Sequence, residues 1–361
     1  MSPDQKSLID APAPSGAAAA SPPVPAASAS APLFIRHTNK IDRRRLVRDY
    51  GILVIFVALF IVLACTAPNF LSAQNLLNVL NSNAYIGIAA CGITLVMIGG
   101  NFDLSIGYTY ALAGIVAASL TVSFGNPIVG IVLAVLIVGI AVGLANAILI
   151  NVIKIHSFLA TLATSLVLSG IGLAITGGFQ ITIPPESAEA FDWIGQGSLI
   201  AGIPNPVIVF VIVAVVLSFV LARTRFGRYI YAAGGNPEAA RLSGIPVARV
   251  ITATLIVGAV CAALAGVIGA SLSGAGQANP GGSSSLPLDA IAAVVIGGTS
   301  IKGGEGALWR TVVGVLFIAL INNAFNLIGV DSSYLPTTTG LLIIIAVSAN
   351  SLIVVKRSAS K

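Results

Sequence analysis

Charge is what this sequence has least of. Only 8% of its 361 residues are Asp, Glu, Lys or Arg, against roughly a quarter in an ordinary soluble domain. With 57% apolar residues, the chain has lipid rather than water as its main solvent. Histidine is nearly absent: His37 and His156 stand far apart. The three cysteines, Cys65, Cys91 and Cys261, lie in or beside apolar runs. No CxxC or Cys/His spacing is present to hold a metal or build a disulfide framework, so no metal or other cofactor is expected. A phosphate loop is missing as well. The nearest sequence, Gly297-Gly298-Thr299-Ser300-Ile301-Lys302, lacks the GxxxxGK[ST] spacing that sets a lysine and a hydroxyl on phosphate and magnesium. The net charge of +6 fits loops beside anionic lipid, not a nucleic-acid surface.

Long apolar runs are what is there. They predict an all-α, polytopic membrane protein with about ten spans, several near the ~20 residues needed to cross the hydrocarbon. The runs are 50–66, 84–100, 104–123, 127–150, 158–177, 206–222, 250–272, 288–300, 308–328 and 338–355. Two of them are short and stop at glycine pairs, Gly99-Gly100 and Gly297-Gly298. They are expected to be discontinuous or partly buried helices, since unwound backbone at membrane depth needs protein or water around it.

With the N-terminus inside, all 18 Lys and Arg residues fall on the cytoplasmic side. The outer loops carry only acids: Glu186, Glu189, Asp192 and Asp331. Positive-inside bias sets orientation, so both termini are expected in the cytoplasm. Residues 1–35 are mostly Ala, Pro and Ser and read as a disordered cytoplasmic tail, with no basic start or apolar stretch of a secretory signal. A basic juxtamembrane segment follows at 36–49, then a membrane domain at 50–355 and a cytoplasmic tail at 356–361. The basic segment reads as a topology anchor beside anionic lipid headgroups.

An ion-coupled carrier needs acids inside the membrane. The available ones, Asp103, Asp289 and Glu305, stand near span ends, and the first two suit helix starts, where a carboxylate meets free N–H groups and the positive dipole end. Neutral groups are commoner. Asn146, Asn151, Thr161, Thr164, Asn322, Asn323 and Asn326 punctuate the apolar runs, and Gly139 and Gly143 form a GxxxG. Helix packing accounts for most of them. A path lined by amides and hydroxyls suits a neutral polyol better than an ion.

Loop 223–249 is more than a connector. After Gly234-Gly235, Asn236 is a good N-cap, Pro237 suits the first helical position and Glu238 complements the dipole. Ala239, Ala240, Arg241 and Leu242 continue a short helix that Gly244 ends and Pro246 keeps from restarting. A capped helix of two turns is a rigid handle for a partner.

The stretch GGNPEAARLSGI, with its EAA-x3-G core, resembles the cytoplasmic coupling element of ABC-importer permeases, in the variant of the ribose/xylose/arabinose type. GGNFDLSIG at 99–107, FLATLAT at 158–164 and LDAIAAVVIGGTSIKGGEGALW at 288–309 agree with it, and the similarity runs from about residue 50 to 355. The resemblance implies a translocation subunit of the bacterial inner membrane, not itself an enzyme. It would pair with a second permease, a cytoplasmic ATPase that hydrolyses ATP and a periplasmic sugar-binding protein. It assigns Gly235, Asn236, Glu238, Ala239, Ala240, Arg241 and Gly244 to the ATPase contact. It also matches Gly100, Asp103, Leu104 and Ser105 to a helix-opening motif. Those four, with Asn146, Thr161 and Asn322, are the candidates for the translocation path. Pro287, Ser169, Arg310 and Asn322-Asn323 depart from the usual pattern and leave the solute open. A nucleoside, a furanose signal or a branched-chain amino acid stands beside a monosaccharide, and a proton-coupled carrier beside an ABC importer.

One pattern is internal. Met97-Ile98-Gly99-Gly100 and Val295-Ile296-Gly297-Gly298 both close an inward-running span and precede an outward-running one, which predicts a parallel repeat.

Overall fold

The computed structural model describes residues 43–200, 202–278, 285–329, 331, 334–341, 344 and 348. All belong to one compact unit, Asp42–Lys361. The Ala/Pro/Ser tail, the first part of the basic segment, the C-terminal tail and most of the expected span 338–355 lie outside the described residues.

Twelve helices make up most of the described chain. The first five are α1 (Arg43–Thr66), α2 (Ala73–Ile98), α3 (Ile106–Phe124), α4 (Pro127–Asn151) and α5 (Ser157–Thr176). A two-residue strand β1 (Ile181–Thr182) leads into α6 (Pro185–Gln196) and α7 (Asn205–Arg223). Two short helices, α8 (Arg225–Gly235) and α9 (Pro237–Leu242), precede the long α10 (Val247–Ser273), then β2 (Ala275–Gly276), α11 (Leu286–Ile296) and α12 (Leu308–Ile328). Antiparallel β1 and β2 pair Ile181 with Gly276 and Thr182 with Ala275, a small exception to an all-helical expectation.

Seven of these helices, α2 to α5, α7, α10 and α12, are long and apolar enough to cross a membrane. Two shorter apolar helices, Tyr50–Thr66 and Leu286–Ile296, accompany them. Each coincides with one of the first nine apolar runs.

Two expectations need correction. The run 84–100 is buried, as one of the two alternatives had it, but it is neither short nor discontinuous. It is the second half of α2, an unbroken helix of 26 residues opened by Ser72, whose hydroxyl accepts from the Asn75 N–H at 3.2 Å. Its first half carries Gln74, Asn75, Asn78, Asn81, Ser82 and Asn83. These lower the local hydropathy, yet Asn75, Asn78, Ser82 and Asn83 face a cavity and Gln74 donates to Asn78 within the helix. The other short run keeps its character, since α11 has only 11 residues. The second correction concerns loops. The connection after α5 holds α6, and loop 223–249 is helical in two pieces rather than one.

Glycine and alanine let the central helices close in. A Cβ on Gly139 or Gly143 of α4 would run into the backbone of Val260 or Ile256 of α10, at 2.7 and 2.5 Å from their Cα atoms. The GxxxG pair is therefore a packing seam, as small residues are at membrane-helix interfaces. Gly266 of α10 likewise lies against the Tyr110 carbonyl of α3. Around this block, α5 and α7 show most of their apolar surface.

The two glycine-pair turns are built alike. Behind α2, Asn101 N–H bonds to Val96 O and Gly100 N–H to Met97 O; behind α11, Thr299 N–H bonds to Val294 O and Gly298 N–H to Val295 O. Both are Schellman closures, with the left-handed residue at Gly100 (φ 81°) and Gly298 (φ 78°). The two turns therefore share a local backbone geometry.

Candidate functional site

Three groups of polar residues interrupt the apolar body. The first is an open cavity of about 440 Å³ between the start of α2, the first turn of α11 and the end of α12. Asn75, Asn78, Ser82 and Asn83 line it from α2, Asn322, Asn323 and Asn326 from α12, with Tyr85 and Asp289 at its wall. The amides of Asn75 and Asn323 bond reciprocally, at 3.2 and 2.8 Å, and tie the two helices together at the rim. Deeper, Thr94 Oγ1 and Thr311 Oγ1 meet at 2.8 Å. Tyr85 packs on Tyr110 with ring centroids 5.7 Å apart. Asp289 occupies the first turn of α11, as its sequence position suggests, and its carboxyl bonds back to Ser285.

Such a cavity offers many neutral donors and acceptors, one aromatic face and one acid. That is the chemistry of polyol recognition: hydroxyls pair with amides, which both donate and accept.

The second group is buried between α2 and α3, beside the starts of α5 and the end of α4. Asp103 Oδ1 accepts from the Ser105 N–H at 2.8 Å and from the Ser105 hydroxyl. Asn146 Nδ2 of α4 donates to the same hydroxyl oxygen at 2.9 Å. Leu104 N–H donates to Thr161 Oγ1 and Phe102 N–H to Ser157 Oγ, both at 3.1 Å. The helix-opening motif is thus stitched to α4 and α5 by side chains, and Asp103 makes an Asx turn just ahead of α3. Asp103 is 1% exposed and its Oδ2 has no partner, nor has Asn146 Oδ1. Burial pushes the Asp103 carboxyl above its usual range, with the Ser105 bonds pulling the other way. Of the path candidates, Gly100, Asp103, Leu104, Ser105, Asn146 and Thr161 come together here. Asn322 does not; it lies in the open cavity at the far end of α12.

The third group is the α8–α9 element. Asn236 caps α9, its Oδ1 accepting from Ala239 N–H at 2.9 Å. Glu238 stands in the first turn and Arg241 in the last, matching the helix dipole at both ends. Ile245 N–H bonds to Ala240 O and Gly244 N–H to Arg241 O, again a Schellman closure, with Gly244 at φ 80°. Ala240 is buried while Gly235, Asn236, Pro237, Glu238 and Ala239 are exposed, so the helix is anchored on one side and bare on the other.

Residues 75–347 match the family described as branched-chain amino acid transport system / permease component. The chain belongs to this permease family. Among its relatives, the ribose import permease protein RbsC of Haemophilus influenzae is 39% identical over 306 residues, covering 84% of this chain and 94% of that protein. RbsC of Bacillus subtilis is 41% identical over 295 residues, 81% of this chain and 90% of its own. The D-allose transport system permease protein AlsC of Escherichia coli is 34% identical over 306 residues, 84% and 92% respectively. No solved structure matches the chain. As a permease component with several apolar helices, this is a multi-pass membrane transport subunit rather than an enzyme.

The sequence singled out Asn322, Asn323 and Asn326, with Asn322 alone as a path candidate. Hydropathy gave no sign that Asn75, Asn78, Ser82 and Asn83, in an expected outer loop, would join them at one cavity. Their spacing held the signal. Positions 75, 78, 79, 82, 83 and 86, all lining the cavity, step by three and four along one helical face.

Proposed function

We propose that this chain is the translocation subunit of an ATP-binding-cassette importer for a monosaccharide, in the bacterial inner membrane. It has ten spans with both termini cytoplasmic, works as a homodimer seated in lipid, and is served by a cytoplasmic ATPase and a periplasmic binding protein. In this orientation the asparagine cavity opens outward and α8–α9 faces the cytoplasm, where the α9 element is the ATPase contact through Gly235, Asn236, Glu238, Ala239, Arg241 and Gly244, while Ala240, expected among the contacts, is buried and anchors the helix instead. The solute passes the asparagine face that includes Asn322. The cluster around Gly100, Asp103, Leu104, Ser105, Asn146 and Thr161 holds the inner end of the path in shape.

The observation that carries the sugar reading is the cavity itself. Its polar walls are mostly neutral amides with one aromatic ring, and their single acid, Asp289, is tied back to Ser285 in the first turn of α11. Hydroxyls of a polyol pair with such amides, which both donate and accept. The ribose and allose permeases among the relatives support the same solute class.

Reconstitution tests it. Proteoliposomes containing the permease, its ATPase and its binding protein should take up D-ribose or a similar aldose only when ATP is hydrolysed. Uptake driven by a proton gradient with no ATPase present would overturn the reading.

A further inference from the structure

Three glycine pairs far apart in sequence meet at one point. Gly99-Gly100 ends α2, Gly234-Gly235 ends α8 and Gly303-Gly304 lies in the connection from α11 to α12. Contact between them is backbone on backbone. A Cβ on Gly234 would fall on the Ile98 carbonyl oxygen. One on Gly303 would come within 2.7 Å of the Gly100 Cα and 2.8 Å of the Gly234 oxygen, and one on Gly304 within 2.6 Å of the Gly235 Cα. Two hydrogen bonds lock the junction: Gly304 N–H donates to Ile98 O at 2.8 Å, and the Tyr231 hydroxyl of α8 donates to Gly306 O at 2.8 Å.

We infer that this three-way glycine junction is the mechanical link by which α9 moves the walls of the asparagine cavity, with Tyr231 as a positioning residue that keeps the link closed. The inference rests on the reading of α9 as the ATPase contact. Its physical basis is stiffness. Side chains at an interface can change rotamer and absorb a displacement, whereas backbone packed on backbone has no rotamer to change. A push on α9 enters the junction through Gly235, its neighbour in the chain. From there it leaves along two routes. One is α2, through Ile98 and Gly100; the other is α12, through the 303–306 turn. Those two helices carry Asn75, Asn78, Asn322 and Asn326 at their opposite ends. Only a junction that touches the ends of both cavity helices can move both walls with one stroke.

Tyr231→Phe removes one hydrogen bond and nothing else, and Gly234→Ala wedges the junction apart. Each variant is reconstituted with ATPase and binding protein, and D-ribose uptake is measured against ATP hydrolysed. A second readout needs no sugar. In a Cys65→Ser background, Asn78→Cys reports cavity opening through its rate of reaction with a membrane-impermeant thiol reagent, before and after trapping with ATP and vanadate. We expect Tyr231→Phe to keep stimulated ATP hydrolysis while uptake per ATP falls about fivefold, the factor equivalent to one hydrogen bond of ~1 kcal/mol. The trapping-dependent change at Asn78→Cys should shrink in parallel, and Gly234→Ala should act the same way more strongly. If uptake and hydrolysis fall in proportion, Tyr231 is merely structural and the link is refuted; wild-type values on both readouts refute it equally. Should Gly234→Ala fail to fold, Tyr231→Phe alone decides. Absence of ATP-dependent uptake in the unmodified protein would instead strike at the functional reading, while the thiol readout would still judge the link.

Discussion

Asp103 separates a structural carboxyl from an ion carrier, and two substitutions decide between them. In the structure its Oδ1 is the acceptor for both the N–H and the hydroxyl of Ser105, at the point where the chain enters α3. Asp103→Leu leaves two donors without an acceptor in a site closed to water. An orphaned buried donor costs roughly 1–3 kcal/mol, so the pair costs roughly 2–6 kcal/mol on the same scale. That rivals the whole stability margin of many domains, about 5–15 kcal/mol. Asp103→Asn keeps the acceptor and therefore both bonds. The amide has the same shape and keeps one oxygen to accept both bonds, so the expected loss is about 1 kcal/mol. The new NH2 takes the place of an oxygen that now has no donor, in a cluster where Asn146 Oδ1 also lacks a partner. The assay pairs the yield of monodisperse protein extracted from membranes with uptake normalised to that yield. The Leu variant should lose most of its folded protein. The Asn variant should keep both yield and most uptake. Normal yield with uptake abolished in the Asn variant would show that the carboxyl itself must gain and lose a proton, and the structural account would fall.

Gly244→Val should abolish binding-protein-stimulated ATP hydrolysis without reducing membrane insertion. No atom lies within 4 Å of a Cβ there, so the cost is the left-handed backbone itself, of order 1–3 kcal/mol for a non-glycine residue, and wild-type stimulation would show that the closure of α9 does not matter. Single cysteines at Glu186 and Pro237, both exposed, should react with an impermeant reagent from the periplasmic and cytoplasmic sides respectively, and reaction at Pro237 from outside would invert the topology. Asn322→Leu should lower uptake with little change in thermal stability. Asn75→Leu should also destabilise, since it strands the Asn323 amide; equal thermal shifts for the two would contradict that division.

What the sequence revealed and what it hid follow from the range of the interactions involved. The α9 helix was readable in full, cap, dipole residues and terminating glycine, because every bond that shapes it lies within ten residues. The paired turns at Gly100 and Gly298 were readable for the same reason. The first half of α2 was not. Averaged hydropathy treats Asn75, Asn78 and Asn83 as loop; in the helix Asn75 pairs with Asn323 of α12, some 248 residues away, while Asn78 accepts from Gln74 and Asn83 donates to the Val79 carbonyl. The helical connection α8 was hidden by its mixed composition, and α6 by its polar face. Likewise the meeting of three glycine pairs left no local trace. Each pair alone reads as an ordinary turn.

The unbroken course of α2 also bears on how a solute first meets the protein. At ~1.5 Å per residue, its 26 residues reach about 39 Å, against a hydrocarbon slab of ~30 Å. The surplus of about 9 Å, some six residues at that rise, can emerge at the start of the helix, where Gln74, Asn75 and Asn78 stand. The rim of the asparagine cavity would then lie among lipid headgroups and water rather than acyl chains. On the proposed path, a sugar released there would begin to exchange its hydration shell for amides before reaching any oily depth, and its desolvation would be spread along the helix instead of falling at a single threshold.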